Sequence, residues 1–309
     1  MPLNSINLSG PVISPTFGFS EAADGGITRY VYQDSSGNGV ASLDQLPAGM
    51  QDIADNTVAL ALAKCRDNRG DNIIVLPGHV ETIGANAWSL KKGVTIACMG
   101  NDSDRPTFNW TAATSQIAFN KAGVRVMNAI FNFAVTAATE ITKACAVTAQ
   151  TTFEGCLVTL ATSATVGCTV GFELATGADR TKFDGCTMTG TANGAVQVIN
   201  IVNAIDSPTI KRSTIIAGTS ATTMGVVNLT AAATNCMFDD CSFANLITNS
   251  TVAVNGFAAC TGMLTYLNLG ITNATGGATA IAVPGNWNMN QCFGGVIAKN
   301  GIAITPQSG

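Results

Sequence analysis

The sequence predicts an all-β chain folded as a parallel β-helix, because one six-residue phrase recurs along it. The clearest copies are residues 153–158, 183–188 and 238–243, each apolar at its first, fourth and sixth positions. With weaker copies, the phrase starts at Val126, Phe153, Phe183, Ile210, Phe238, Leu264 and Met289. Successive starts therefore differ by 27, 30, 27, 28, 26 and 25 residues. A repeat of this length, built from short β segments with no helical pattern between them, indicates stacked turns of a solenoid.

The phrase predicts which side chains face the interior. Side chains alternate between the two faces of a strand, so Phe153 points inward and Glu154 outward. Gly155 then turns a corner and returns Cys156 to the interior. Corners of this kind favour Gly, Asn or Asp, because left-handed backbone angles cost these residues least.

A second β-rich stretch precedes most copies of the phrase. These stretches are residues 117–119, 144–147, 196–199, 226–229 and 252–254. Each turn therefore contains at least two strands. With the less regular residues 73–76 and 93–99 included, we expect about nine turns and a rod about 43 Å long, at roughly 4.8 Å per turn.

The composition favours a structural role. Only 11% of the residues are charged and 47% are hydrophobic, which leaves long outer faces of Thr, Ser, Asn and Ala. Such faces suit packing against copies of the same chain, so we expect a homo-oligomer, with a trimer favoured over a dimer. A net charge of −4 and a pI near 4.9 argue against nucleic acid or an anionic membrane as partner. We expect no transmembrane span and no signal peptide.

The ten cysteines predict buried thiols. Cys156, Cys186, Cys241 and Cys292 occupy the same position of the phrase, and Ser213 stands where a fifth would be. A stacked column of small buried side chains explains this placement. Free thiols are typical of a protein made in a reducing cytosol. Because the sequence has neither a CxxC pair nor a Cys/His cluster with metal spacing, we expect no metal and no cofactor.

The N-terminal part of the chain differs from the repeats. Residues 1–38 contain four loop-type phrases without periodicity and predict an extended arm. Residues 39–309 form the predicted β-helix domain. Within it, residues 44–65 predict a helix with one apolar stripe. This helix should cover the open end of the first turn, since an uncovered edge offers unpaired backbone groups to other strands.

Candidate catalytic residues are few. Glu154 and Asp184 hold equivalent outward positions one turn apart, so about 5 Å between carboxylates is available, a separation that suits a retaining glycosidase. Lys211 and Asp239 follow in the same column, and a solvated column of mixed charge is the favoured interpretation. His79, the sole histidine, follows a Pro-Gly turn and is interpreted as a turn residue hydrogen-bonded to the backbone.

Three segments carry a resemblance to a known family. They are GDNIIVLPGHVETI at residues 70–83, GVTIACMG at residues 93–100 and RPTF at residues 105–108. Their order resembles the right-handed parallel β-helix proteins of tailed-bacteriophage virions, over about residues 40–302. The first segment is also similar to pectate-lyase-like β-helices, in which a helix caps the rod. The resemblance implies a right-handed β-helix and, for short members, a capsid decoration or cement protein or a small spike.

We therefore expect a non-enzymatic virion protein, made in the host bacterial cytoplasm and located on the outer capsid surface. Its arm would bind the major capsid protein through apolar anchors, namely Leu3, Ile6, Val12, Ile13, Phe17 and Phe19. Two alternatives stay open at this point. The first is a tailspike or capsule polysaccharide depolymerase, and the second is a host-surface adhesin that uses the polar faces.

Overall fold

The computed structural model describes twelve ranges of the chain: residues 26–37, 54–133, 140–160, 168–190, 195–219, 225–247, 249–250, 252–256, 259–272, 281–282, 287–296 and 302–303. These residues form 28 strands and one α-helix. The strands make three sheets of 11, 7 and 10 strands, here named sheets A, B and C. The fold is therefore a β-solenoid, as the repeat predicts.

The first elements are β1 (Thr28–Val31), β2 (Ala54–Asp55), helix α1 (Val58–Lys64), β3 (Asn72–Val75), β4 (Val80–Ile83), β5 (Thr95–Cys98), β6 (Thr107–Trp110) and β7 (Ile117–Phe119). The next are β8 (Val124–Met127), β9 (Ile130–Asn132), β10 (Ile141–Val147), β11 (Thr151–Glu154), β12 (Leu157–Thr159), β13 (Cys168–Leu174), β14 (Lys182–Asp184), β15 (Thr187–Thr189) and β16 (Ala195–Ile201). The last are β17 (Thr209–Lys211), β18 (Thr214–Ala217), β19 (Val227–Leu229), β20 (Cys236–Asp239), β21 (Ser242–Asn245), β22 (Val254–Asn255), β23 (Gly262–Thr265), β24 (Asn268–Ile271), β25 (Ile281–Ala282), β26 (Trp287–Asn290), β27 (Phe293–Val296) and β28 (Ile302–Ala303).

Each complete turn of the solenoid contributes one strand to each sheet. Sheet B contains seven strands, from β7 to β25, and so counts seven complete turns. A two-stranded turn lies at each end, β3–β4 at the start and β26–β27 at the finish. Together they match the nine turns expected from the sequence. Neighbouring strands are parallel, except that β28 pairs antiparallel with β27.

The register of sheet A confirms the predicted repeat residue by residue. One column of Cα partners runs through Val126, Phe153, Phe183, Ile210, Phe238, Leu264 and Met289. These are the seven positions at which the phrase starts in the sequence. The predicted second stretches lie in sheet B. Together they form one wall of the solenoid, separate from the wall formed by sheet A.

The corner between sheets A and C is left-handed in every copy of the phrase. Its residues, with φ between 48° and 63°, are Asn128, Gly155, Gly185, Arg212, Asp240, Tyr266 and Gln291. Three corners hold a residue other than the favoured Gly, Asn or Asp, namely Arg212, Tyr266 and Gln291. At Arg212 and Tyr266 the corner N–H donates to a carbonyl of the next turn, over 2.9 Å to Asp239 O and 3.0 Å to Asn290 O. This stacking bond offsets a conformational cost of about 1–2 kcal/mol.

The core is a continuous apolar column with an aromatic centre. Phe153 is fully buried, and its ring centroid lies 4.9 Å from that of Phe119, 5.1 Å from that of Phe172 and 4.9 Å from that of Phe183. The predicted cysteine column is confirmed, because Cys156, Cys186, Ser213, Cys241 and Cys292 are all buried. All ten cysteines are free, buried thiols.

Part of the predicted N-terminal arm belongs to the solenoid. β1 lies within the expected arm of residues 1–38, yet it pairs in parallel with both β2 and β3 in sheet A. Val31 and Tyr32 are buried. Residues 28–32 therefore belong to the solenoid, while residues 1–25 lie outside the described residues.

The capping helix also starts later than predicted. α1 begins after the cap residue Thr57, whose side chain accepts a hydrogen bond from Leu60 N. Residues 54–55 form β2 rather than helix because they pair with β1 and because the Asp55 carboxylate binds Arg29 and Lys64. The predicted helical residues 44–53 lie outside the described residues. The buried face of α1, formed by Val58, Ala61 and Leu62, joins the core next to the first turns.

Candidate functional site

Glu154 and Asp184 are neighbours, as the sequence predicts, but their surroundings differ. They are Cα partners on β11 and β14. The Glu154 side chain is 38% exposed and forms an ion pair with Arg125. The Asp184 side chain is only 5% exposed and binds Lys182 Nζ at 2.5 Å and Arg212 Nη2 at 2.6 Å. The prediction that both carboxylates are solvated is therefore wrong for Asp184.

The Asp184 carboxylate is held in its ionised form. Burial raises its pKa, but hydrogen bonds from Lys182 and Arg212 and their charges outweigh burial, so the pKa lies below its ordinary value. A general acid of a glycosidase needs the opposite shift. Because Arg212 is the corner residue of the following turn, the ion pair joins two turns of the solenoid. This arrangement braces the stack.

Replacing Asp184 by asparagine is expected to destabilise the fold by about 1–2 kcal/mol at neutral pH, because it removes the charge of a buried carboxylate that binds the partly exposed Lys182 and Arg212 side chains. The lowered pKa means that this contribution is present above about pH 4 and is lost as the pH falls through the folded-state pKa. The difference between wild type and Asp184→Asn should therefore shrink below about pH 4. Denaturant unfolding at several pH values measures it.

Glu154→Gln is the matched control, since Glu154 lies beside Asp184 in the same column. Its ion pair with Arg125 is exposed, so the substitution should change the free energy of unfolding by less than about 1 kcal/mol. Equal losses in the two variants would contradict the assignment of a buried bracing role to Asp184.

The second cluster surrounds His79 and Glu81, both buried beneath the N-terminal cap. His79 Nδ1 accepts a hydrogen bond from the backbone N–H of Gln33 at 2.9 Å. The backbone hydrogen bond expected for His79 is therefore present. Since a backbone N–H can only donate, Nδ1 carries no proton, and the ring proton of the neutral imidazole lies on Nε2. Nε2 in turn lies 3.2 Å from Glu81 Oε2.

The Glu81 carboxylate accepts hydrogen bonds from three residues. Its Oε2 accepts from Val58 N of α1 at 2.8 Å and from His79 Nε2, and its Oε1 accepts from Trp88 Nε1 at 3.4 Å. Nothing in the sequence indicated that Val58 and Trp88 are partners of Glu81. Each of these contacts depends on how the helix and the loop after β4 fold back over the first turn.

A shallow groove of about 440 Å³ crosses the corner between sheets B and A. Its lining residues come from four successive turns and are Ala122, Ala149, Gln150, Gly177, Asp179, Arg180 and Asp206. Sequence reasoning missed this groove. The available signal was the spacing of Gln150, Asp179 and Asp206, which are 29 and 27 residues apart and so follow the repeat.

Asp206 is fixed within the groove. Its carboxylate accepts hydrogen bonds from Asn235 Nδ2 at 2.7 Å, Ser207 Oγ at 3.0 Å and Thr234 Oγ1 at 3.0 Å. These bonds lower the pKa of Asp206, with the Asn235 amide as the largest cause. Its backbone N–H also donates to Asp179 Oδ1 at 2.7 Å. The groove is therefore lined by two carboxylates, Asp179 and Asp206, and by the exposed Arg180.

The predicted partner-binding residues all lie within residues 1–25, outside the described residues; they are Leu3, Ile6, Val12, Ile13, Phe17 and Phe19. Among the residues that the structure describes, no three His, Cys, Asp or Glu side chains form a group that could hold a metal ion. Within the same ranges, no helix is long and apolar enough to cross a membrane.

A scan of the chain against protein-family models and a search of curated proteins both found no match.

Proposed function

We propose that the chain is a structural protein of a bacteriophage virion, which decorates or cements the outer capsid surface and catalyses no reaction. In this proposal the solenoid is right-handed and self-associates, with a trimer favoured, while the segment before β1 binds the major capsid protein. The phage assignment rests on the resemblance of residues 70–83, 93–100 and 105–108. The structural role rests on the way the buried charges are used.

The main observation behind the structural role is that buried carboxylates connect different elements of the solenoid through ion pairs and hydrogen bonds. Asp184 binds cationic side chains from its own strand and from the next corner. Asp55 joins β1 and α1 through Arg29 and Lys64. Asp71 accepts the backbone N–H groups of Ile27 and Arg66, both at 2.8 Å. Carboxylates used in this way stabilise a rigid body, which suits a protein whose task is mechanical.

The position of β1 limits which residues can be deleted to test the proposed capsid-binding segment, the residues before β1. Because β1 belongs to sheet A, a deletion must stop before Thr28 to leave the solenoid intact. Residues 1–25 contain all six predicted apolar anchors. In this proposal these residues gain main-chain hydrogen bonds on the capsid surface.

Deleting residues 1–25 is expected to leave a folded solenoid with nearly the same melting temperature and to abolish attachment to capsids. The measurement is occupancy of purified capsid shells of the encoding phage, titrated with full-length and truncated protein. Circular dichroism and thermal melting check that the truncated chain is folded.

Glu154→Gln serves as a control on the solenoid surface and should bind capsids at normal occupancy. A truncated protein that still decorates capsids fully would place the interface on the solenoid. Full-length protein that does not bind capsid shells would overturn the proposed function itself.

The groove favours a second candidate, a tailspike depolymerase or an adhesin. Asp179, Arg180 and Gln150 offer acceptors and donors along the solenoid axis, an arrangement that suits the hydroxyl groups of a linear polysaccharide. Incubation with capsular polysaccharide separates the three roles. Cleavage identifies a depolymerase, binding without cleavage identifies an adhesin, and neither outcome is expected for a cement protein.

A further inference from the structure

The hydrogen bonds around His79 and Glu81 are complete in one protonation state only. With Glu81 ionised and His79 neutral, each of the two His79 ring nitrogens has a partner, and both Glu81 oxygens accept. A proton added to His79 Nδ1 would face the N–H of Gln33, so a donor would meet a donor. A proton added to Glu81 would make one carboxylate oxygen a donor, although the groups around it, Val58 N, His79 Nε2 and Trp88 Nε1, all donate as well. Either event breaks one buried hydrogen bond.

Few other ionisable groups surround the pair in the described part of the chain. From the segment after β1, Tyr32 lies next to the turn at Gly78. From β5, the Cys98 thiol is buried, and burial together with the nearby Glu81 charge raises its pKa well above the ordinary value, so it stays neutral. Asp104 approaches through its backbone, where its carbonyl accepts from Gly78 N. Phe108 and Trp88 supply apolar contacts to this cluster.

The pair connects three elements that close the first turn. Gln33 follows β1, Val58 is the first residue of α1, and Glu81 belongs to β4. The cap, defined here as β1, β2 and α1, is therefore fastened to the first turn partly through this proton-dependent network.

We propose that the cap is a proton-sensitive latch: mild acid protonates the His79–Glu81 pair and releases the cap from the first turn while the later turns stay folded. The later turns are insensitive to mild acid for two reasons. Their core is aromatic and aliphatic, and the Asp184 brace has a pKa below the ordinary aspartate value, so it stays ionised.

Opening the cap would expose the edge of β3 that β1 now covers. An exposed edge strand presents unpaired backbone groups and can pair with another chain. The latch therefore gives the solenoid an end whose availability depends on pH, a property that goes beyond the proposed attachment to capsids.

Hydrogen exchange measures the latch directly. From about pH 8 to about pH 5, protection of amides in β1 and α1 should fall about tenfold or more relative to amides in β14 and β17, after correction for the intrinsic pH dependence of exchange. Because His79 is the sole histidine, nitrogen NMR of its ring gives one pair of signals. These signals should show a ring without a proton on Nδ1 while the cap is closed, and a proton on both ring nitrogens once acid has released the cap.

Two variants separate the latch from general weakening of the cap. His79→Gln removes the imidazole that can take up a proton, so relative protection of the cap should depend much less on pH than in the wild type. Asp55→Asn removes the ion pairs with Arg29 and Lys64, and it should lower cap protection at both pH values while keeping the ratio between them.

Three results would overturn the proposal. One is unchanged relative protection of the cap between the two pH values in the wild type. Another is an imidazole that keeps its protonation state or carries its proton on Nδ1 at about pH 8. The third is a His79→Gln protein that loses protection on acidification as the wild type does. The wild-type measurements decide the question even if His79→Gln does not fold.

Discussion

Phe153→Ala is expected to destabilise the solenoid by about 3–5 kcal/mol, the range for removing a fully buried phenylalanine ring. The Phe153 ring is wholly buried and contacts the rings of Phe119, Phe172 and Phe183. The three rings around Phe153 come from strands β7, β13 and β14 of two sheets, so a cavity at their centre cannot collapse by moving one strand. The loss should appear as a lower denaturant midpoint, followed by circular dichroism.

Phe293→Ala is the matched control, because it deletes the same ring from an exposed position. Phe293 is 47% exposed near the C-terminal end of the described solenoid, and its removal should change the free energy of unfolding by less than about 1 kcal/mol. Similar losses in the two variants would mean that the aromatic column does not dominate the core.

Cys186→Asp is expected to be at least as severe, costing about 4 kcal/mol or more. Cys186 Sγ lies 3.5 Å from Phe153 O and 3.7 Å from Asp184 O, so a carboxylate placed here would face carbonyl oxygens. Its neighbours in the column, Cys156 and Ser213, would offer no compensating positive charge. Soluble yield and denaturant unfolding measure the effect.

Cys186→Ser should cost far less, at most about 2 kcal/mol. The next residue of the same column, Ser213, shows how a hydroxyl fits there. Its Oγ donates to Lys211 O at 2.7 Å and accepts from Cys186 N at 3.1 Å. A serine at position 186 can donate to Asp184 O in the same way. If the serine variant were as unstable as the aspartate variant, the loss would reflect side-chain size rather than buried charge.

Most of the fold was predictable because a solenoid repeats its constraints. The register is set by one inward position per turn, so Phe153, Phe183 and Phe238 were enough to align the neighbouring strands. Buried cysteines followed from the same alignment. The N-terminal end was less predictable because it occurs once. Neither β1 nor β2 repeats a pattern, and each becomes a strand only through pairing with residues far away in the chain.

The candidate sites likewise divide into features that the repeat predicts and features that depend on long-range contacts. The sequence placed Glu154 and Asp184 side by side, because both occupy the second position of the phrase. It did not predict that Asp184 is buried, since its environment there depends on Arg212, a corner residue that lies 28 residues away in the chain. His79 was correctly given a backbone partner, but the contacts of Glu81 with α1 required the three-dimensional path of the cap.

The left-handed corners between sheets A and C form a regularly spaced row on the outside of the solenoid. Corner residues follow one another at the spacing of adjacent strands, roughly 4.8 Å. Their backbones are held by hydrogen bonds to the next turn, while Arg212 and Tyr266 extend their side chains to solvent. The side chain at an exposed corner such as Tyr266 can therefore change without repacking the interior, whereas Arg212 also holds the buried Asp184 carboxylate. Such a surface can display charged or aromatic groups in a straight line at fixed intervals, and new ones can be installed there by substitution.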